Sequence, residues 1–242
     1  MKKTAAFFDI DGTLYRETLM SELFKKFISH ELVAENKWTD EVRPAFMKWD
    51  RRQGDYDSYM QKIVKIFKET TLGLSKEHVE HIARLVIMQK GDRLYQFTRN
   101  EIKRHKSEGN LIIAISGAPI ELVREMARKH GFDDYRGSVY ETDEHGIYTG
   151  KSFPMGDSES KNKEVDKLVE KYNIDLSKSY AYGDTAGDFL MLSRVGHPYA
   201  INPTRELINR ITSTQELLDK IKIIVERKDV IYRIDPHDID LI

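Results

Sequence analysis

Apolar positions along the chain follow two rhythms. Ala5, Ala6, Phe7 and Phe8 form a short continuous run, the mark of a buried strand, expected over residues 3–9. From about residue 16 to residue 88 the spacing becomes helical: Leu19, Leu23, Phe24, Phe27 and Ile28, then Tyr59, Ile63, Ile66 and Phe67, then Val79, Ile82, Leu85 and Val86. Gly54 and Gly73-Leu74-Ser75 punctuate this block, with Ser75 placed as a helix cap. Beyond it, helix and strand alternate. Helices are expected over 92–108, from Pro119 to His130, over 161–173, over 187–195, after Thr204 and, as a polar helix, over about 214–227. Strands are expected at Leu111–Ile115, Ser179–Tyr182, Tyr199–Ile201 and Val230–Ile234, with a hairpin turning at Asp143–Gly146. This alternation implies an α/β fold, a mainly parallel sheet with helices on both faces. The expected organisation is a core of residues 1–15 and 89–242, interrupted by an all-helical insertion at 16–88 that folds as its own small unit.

The composition narrows the setting. Of 242 residues, 40% are hydrophobic and 33% charged, as in soluble globular proteins. A formal net charge of −1 gives no overall attraction to nucleic acid or to an anionic membrane, and neither partner is expected. No apolar run approaches the roughly 20 residues of a membrane span, and Met-Lys-Lys leads into a strand rather than a signal-peptide core. The chain has no cysteine, which removes disulfides and thiolate chemistry and suits a reducing cytoplasm.

Candidate chemistry begins where the first strand ends, at Asp9-Ile10-Asp11-Gly12-Thr13. Residues i and i+2 of a strand share a side, so Asp9 and Asp11 converge just past the strand end, where open α/β sheets place ligands. Clustered carboxylates require a proton or a cation between them, and such a pair supplies a nucleophile and an acid/base. A calcium loop also begins Asp-x-Asp-x. It would need an oxygen ligand at its fifth position and Glu at its twelfth, between helices; here these are Thr13 and Met20, after a strand. Three further features lie at strand or helix ends. Ser116-Gly117 offers a hydroxyl and an unhindered N–H to phosphate oxygens. Lys161-Asn162-Lys163 sets cations at a helix start, against the dipole preference. Gly183-Asp184-Thr185-Ala186-Gly187-Asp188 carries two carboxylates four residues apart, one of which also suits a helix cap.

The order of these four features resembles the haloacid dehalogenase superfamily, over nearly the whole chain. Asp9-Ile10-Asp11-Gly12-Thr13 matches its first motif, Ser116 the second, Lys161 the third, and Gly183-Asp184 with Asp188 the fourth. The helical insertion matches the family's cap of the first type, on a Rossmann-like core. Tyr180–Asp184 and Val195–Pro203 are similar to the phosphoserine-phosphatase-like branch (subfamily IB). The resemblance implies a Mg²⁺-dependent phosphomonoester hydrolase of a small cytosolic metabolite. Asp9 would form an aspartyl-phosphate, and Asp11 would protonate the leaving alcohol and then activate water. Mg²⁺ would be held by Asp9, the Asp11 carbonyl and Asp184, with Asp188 behind them. Lys161, Ser116 and Gly117 would bind the phosphoryl oxygens. Lys163 rivals Lys161; a spacing of 23 residues from Asp184 favours Lys161. Asp11 sets the chain apart from the family's dehalogenases, which need no proton donor.

In family phosphoserine phosphatases a cap glutamate and a cap arginine grip the substrate. Glu17 lies near the first position and Lys62 falls at the second, where an ammonium cannot form a bidentate clamp. A phosphotransferase or phosphomutase returning the group to a second alcohol, a phosphatase of a sugar or histidinol phosphate, and a non-catalytic binding protein are the alternatives. The chain is expected to be a monomer or homodimer. Phe46, Trp49, Tyr56 and Tyr59 could line a substrate pocket, but at helical spacing they are expected in the core of the helical bundle. His78 and His81, at i and i+3, lack further zinc ligands and are expected on a solvated face.

Overall fold

The computed structural model describes residues 2–54, 56–239 and 241, and all of their side chains but that of Asp57. Among them eight strands form one sheet in the order β4-β3-β2-β1-β5-β6-β7-β8. These are β1 (Ala5–Phe8), β2 (Leu111–Pro119), β3 (Asp134–Thr142), β4 (Tyr148–Phe153), β5 (Tyr180–Gly183), β6 (His197–Ile201), β7 (Lys222–Arg227) and β8 (Val230–Ile234). The six inner strands run parallel; β4 and β8 are antiparallel edges. Strand β1 is central because it is fully buried on both faces. Ala6 and Phe8 enter one apolar cluster, Ala5 and Phe7 the other.

The first cluster is covered by α1 (Leu19–Ser29), α3 (Tyr56–Thr71), α4 (Lys76–Lys90), α5 (Gln96–Ser107) and α6 (Ile120–His130), with α2 (Arg43–Asp50) packed at its border. The second lies beneath α7 (Ser158–Tyr172), α8 (Phe189–Arg194), α9 (Arg205–Thr212) and α10 (Gln215–Leu218). The α/β architecture with helices on both faces is therefore present. Ser75 caps α4 through the His78 N–H, Thr204 caps α9 through the Leu207 N–H, and Gly131 closes α6 at φ 67°.

One expectation changes. Residues 214–227 are not one polar helix: α10 stops at Leu218 and β7 follows. Ile223 faces one cluster and Ile224 the other, so a β-branched run buried on both faces outweighs the charges around it. The helical insertion packs directly on the sheet. Its residues Leu23, Phe24, Ile63 and Phe67 belong to the same cluster as Ala6 and Phe8 of the sheet. The α3–α4 turn is also strapped to the β3–β4 hairpin through the main chain. The Gly73 N–H donates to the Tyr148 carbonyl at 3.0 Å, the Tyr148 N–H to the Leu74 carbonyl at 3.0 Å, and the Lys76 N–H to the Gly146 carbonyl at 2.8 Å.

Candidate active site

The site lies past the carboxyl end of β1, between its neighbours β2 and β5. Asp9 continues β1, its N–H donating to the Tyr182 carbonyl of β5 at 3.0 Å. Lys161, from the first turn of α7, is 2% exposed, and its ammonium donates to Asp9 Oδ1 and to Asp188 Oδ1, each at 2.6 Å. The other oxygen of Asp188 accepts the Asp184 and Thr185 N–H groups at 3.1 Å. Asp188 thus closes the 184–188 turn as a cap and holds the lysine at once. Asp184 Oδ1 accepts the Thr13 hydroxyl at 2.9 Å. Carboxylate oxygens of Asp9, Asp184 and Asp188 lie within 4.8 Å of one another.

Gly12 and Gly183 make this crowding feasible. Gly12 has φ +83°, and a Cβ there would collide with the Asp184 carboxylate; at Gly183 a Cβ would strike Asp188.

Asp11 faces the helical block. Its Oδ1 accepts the Leu19 N–H at 2.9 Å and its Oδ2 the Thr18 hydroxyl at 3.1 Å, so it caps α1 from a distance. Ser116 is buried at the end of β2 and its Oγ accepts the Ala118 N–H at 3.2 Å. Gly117 is exposed beside it. The Ser138 hydroxyl donates to the Gly117 carbonyl at 2.7 Å and accepts the Met155 N–H at 3.0 Å. A Cβ on Gly117 would come within 3.2 Å of Gly156 Cα, and one on Gly187 would strike the Gly156 carbonyl. Three loops of the site therefore meet backbone to backbone.

The charge balance of the cluster is negative. Asp9, Asp11, Asp184 and Asp188 surround a single ammonium. Burial raises the Asp9 carboxyl to about 7, Lys161 opposing and Asp188 adding. Burial raises Asp11 to about 6, against the Leu19 and Thr18 bonds. Asp184 is pushed well up by burial and then by Asp9 and Asp188. Burial works against the charge of Lys161, but Asp188 and Asp9 outweigh it and hold the ammonium well above its ordinary range. An excess of buried carboxylate oxygens beside one ammonium suits a hard divalent cation.

The remaining sequence candidates lie apart from this cluster. Lys163 is exposed. Glu17 is 44% exposed and forms a two-pronged pair with Arg93, at 2.6 and 3.2 Å; its charge reaches the phenols of Tyr15, Tyr59 and Tyr95. The structure does not bring Lys62 to the carboxylates: it is exposed on α3, and the carboxylate it acts on is Glu41. The cap aromatics form a stacked cluster, with Trp49 and Tyr59 rings 5.7 Å apart and nearly parallel. Tyr59 is buried and its hydroxyl meets Ser21 Oγ at 2.8 Å. Tyr56 packs in the same cluster, its ring 5.4 Å from that of Trp49 and 6.1 Å from that of Tyr59. Burial lifts its phenol, and Asp11 and Asp184 lift it further, against a bond with Thr18. Thr13, Thr18, Ser138 and Gly156 were not singled out by their chemistry in the sequence; only Thr18, directly before the periodic run from Leu19, carried a signal, that of a helix cap.

A central parallel sheet with carboxylates past β1, a serine toward the end of β2, a lysine on α7 and an acidic turn after β5 defines a class. The chain belongs to the haloacid dehalogenase-like hydrolases, whose pattern it matches over residues 6–193. A Streptomyces azureus protein named "Inhibition of morphological differentiation protein" is 25% identical over 209 residues, 86% of this chain and 74% of that one. "Phosphoserine phosphatase SerB1" of Mycobacterium tuberculosis is 32% identical over 119 residues, 48% of this chain and 38% of its own length. A solved structure of a Bordetella pertussis protein of unknown function superposes with a TM-score of 0.70 at 17% identity, covering 88% of this chain and 96% of that one.

Proposed function

We propose that the chain is a Mg²⁺-dependent phosphomonoesterase acting on a small phosphate ester through an aspartyl-phosphate on Asp9. The observation that carries this reading is the Asp9–Lys161–Asp188 chain at the end of the central strand, with Asp11 two residues beyond the nucleophile. The Asp9 and Asp184 carboxylates and the Asp11 main-chain carbonyl would hold the cation, which supplies positive charge to the phosphoryl group and to the carboxylates themselves. Asp9 attacks phosphorus and the bond to the ester oxygen breaks. Asp11, raised to about 6, gives its proton to the departing alkoxide. The Asp11 carboxylate then takes a proton from water, which attacks the aspartyl-phosphate, releasing phosphate and restoring Asp9. Lys161, the Ser116 hydroxyl and the Gly117 N–H bind the phosphoryl oxygens as charge shifts among them.

Phosphoserine leads the substrates to be tried, because a relative matched over 48% of this chain bears that activity in its name. The Glu17–Arg93 pair would have to open for Glu17 to grip an ammonium.

The test is phosphate release from a panel of phosphomonoesters, phosphoserine included, with Mg²⁺ and with EDTA. Release from at least one member is expected, lost on chelation and reduced roughly 10³-fold or more in Asp9→Asn, which keeps the side-chain volume. Full activity in Asp9→Asn would overturn the nucleophile, and indifference to EDTA would remove the metal.

A further inference from the structure

The last strand of the sheet has an open side. Strand β8 pairs with β7 alone, and among the described residues nothing pairs with its outer edge. Three consecutive apolar residues on it are exposed: Val230 at 43%, Ile231 at 38% and Tyr232 at 52%. An open, apolar edge strand is a template for another strand unless something blunts it.

The direction of its free main-chain groups follows from β7. The Ile224 carbonyl accepts from the Asn202 N–H at 2.7 Å, and the Glu226 N–H donates to Asn202 Oδ1 at 2.8 Å, so both residues face β6. Val225 and Arg227 therefore face β8, where they pair with Tyr232 and Val230. Alternation leaves Ile231 and Arg233 with their N–H and carbonyl groups directed at the open edge.

The charges at this edge are self-complementary in one register. An antiparallel pair of identical strands related by a two-fold axis sets residue i opposite residue j with i + j constant and even, as the alternation of ladder pairs requires. With the axis at Ile231, Val230 faces Tyr232 twice over, and Asp229, in the turn just before β8, comes opposite Arg233 of the second copy twice over. With the axis at Tyr232, Asp229 instead faces Asp235, which repels. Among the described residues, neither Asp229 nor Arg233 makes an ion pair within the chain. We propose that β8 is a dimerisation strand, pairing antiparallel with β8 of a second copy about a two-fold axis at Ile231 and joining two eight-stranded sheets into one. This interface lies on the far edge from β4 and is independent of the catalytic reading.

Sedimentation equilibrium and light scattering on the full chain test this. The wild type is expected to pass from 28.3 kDa to twice that mass with rising concentration. Arg233→Asp and Asp229→Arg should each weaken dimerisation at least 10-fold, since each sets like charges opposite one another twice. The double exchange Asp229→Arg/Arg233→Asp should restore the dimer, because it rebuilds both pairs with reversed sign. Circular dichroism and thermal melting of Arg233→Asp, which leaves the β7–β8 turn unchanged, should match those of wild type at low concentration and thereby exclude misfolding. A wild type that stays monomeric at about 100 µM, well above a micromolar dissociation constant, would overturn the proposal. So would a dimer indifferent to both single exchanges, or one that the double exchange fails to restore.

Discussion

Lys161 is the residue on which the site balances. Its ammonium holds Asp9 and Asp188 at equal distances, and among the candidate site groups it is the buried cation facing four carboxylates. Replacing it by alanine leaves two buried carboxylates without their partner, a loss far beyond that of a solvated charge. Lys161→Ala is therefore expected to lower kcat by roughly 10²-fold or more, whereas Lys163→Ala, on an exposed stem, should leave it within about 2-fold. Steady-state kinetics of the two variants side by side checks the ranking; equal effects would contradict the geometry. At this scale the sequence was highly legible. Asp9, Asp11, Asp184, Asp188 and Lys161 stand out as charged groups placed at element ends. The supporting hydroxyls were not, because Thr13, Thr18 and Ser138 gain their roles from partners that only the fold supplies: Asp184 for Thr13 is 171 residues away.

At the scale of elements, the helical block is held to the core at both ends. Asp11 caps α1 at one end, and the Gly73–Lys76 strap grips the β3–β4 hairpin at the other. Beneath the strap, the Tyr148 hydroxyl donates to Glu121 Oε1 at 2.8 Å, and Glu121 Oε2 is buried with no hydrogen-bond partner among the described residues. Tyr148→Phe would leave that carboxyl with neither oxygen bonded by a side chain. We expect it to cost about 1–3 kcal/mol in denaturant unfolding, with turnover nearly unchanged. A variant as stable as wild type would show that the strap does not need this bond. Such a strap is not legible in the sequence, since it joins single residues rather than periodic runs. The misread segment near 214–227 has a different cause. Charges at helical spacing hide a strand whose isoleucines are covered on both faces.

Across the whole molecule, protonation of the carboxylate cluster couples to stability. Folding raises Asp9 from 3.8 to about 7, so between those values the folded protein holds a proton that the unfolded chain has released. Metal-free stability contributed by this group is thus greatest at low pH and declines as pH rises toward 7. At the proposed metal site a divalent cation would take the place of the proton. The rise in melting temperature on adding millimolar MgCl₂, relative to EDTA, should therefore grow between about pH 6 and pH 8. Differential scanning calorimetry across that range would show it, and a metal effect flat in pH would disprove the coupling.

The central position of β1 has a consequence in time. Asp9 leaves the ribosome well before its partner Lys161, which follows 152 residues later, roughly 8–30 s at ordinary rates of synthesis. Strand β1 must meanwhile wait for β2 and β5 to flank it. Asp9 and Lys161 therefore meet only after α7 has emerged, and a nascent fragment ending before α7 holds Asp9 without its ammonium partner.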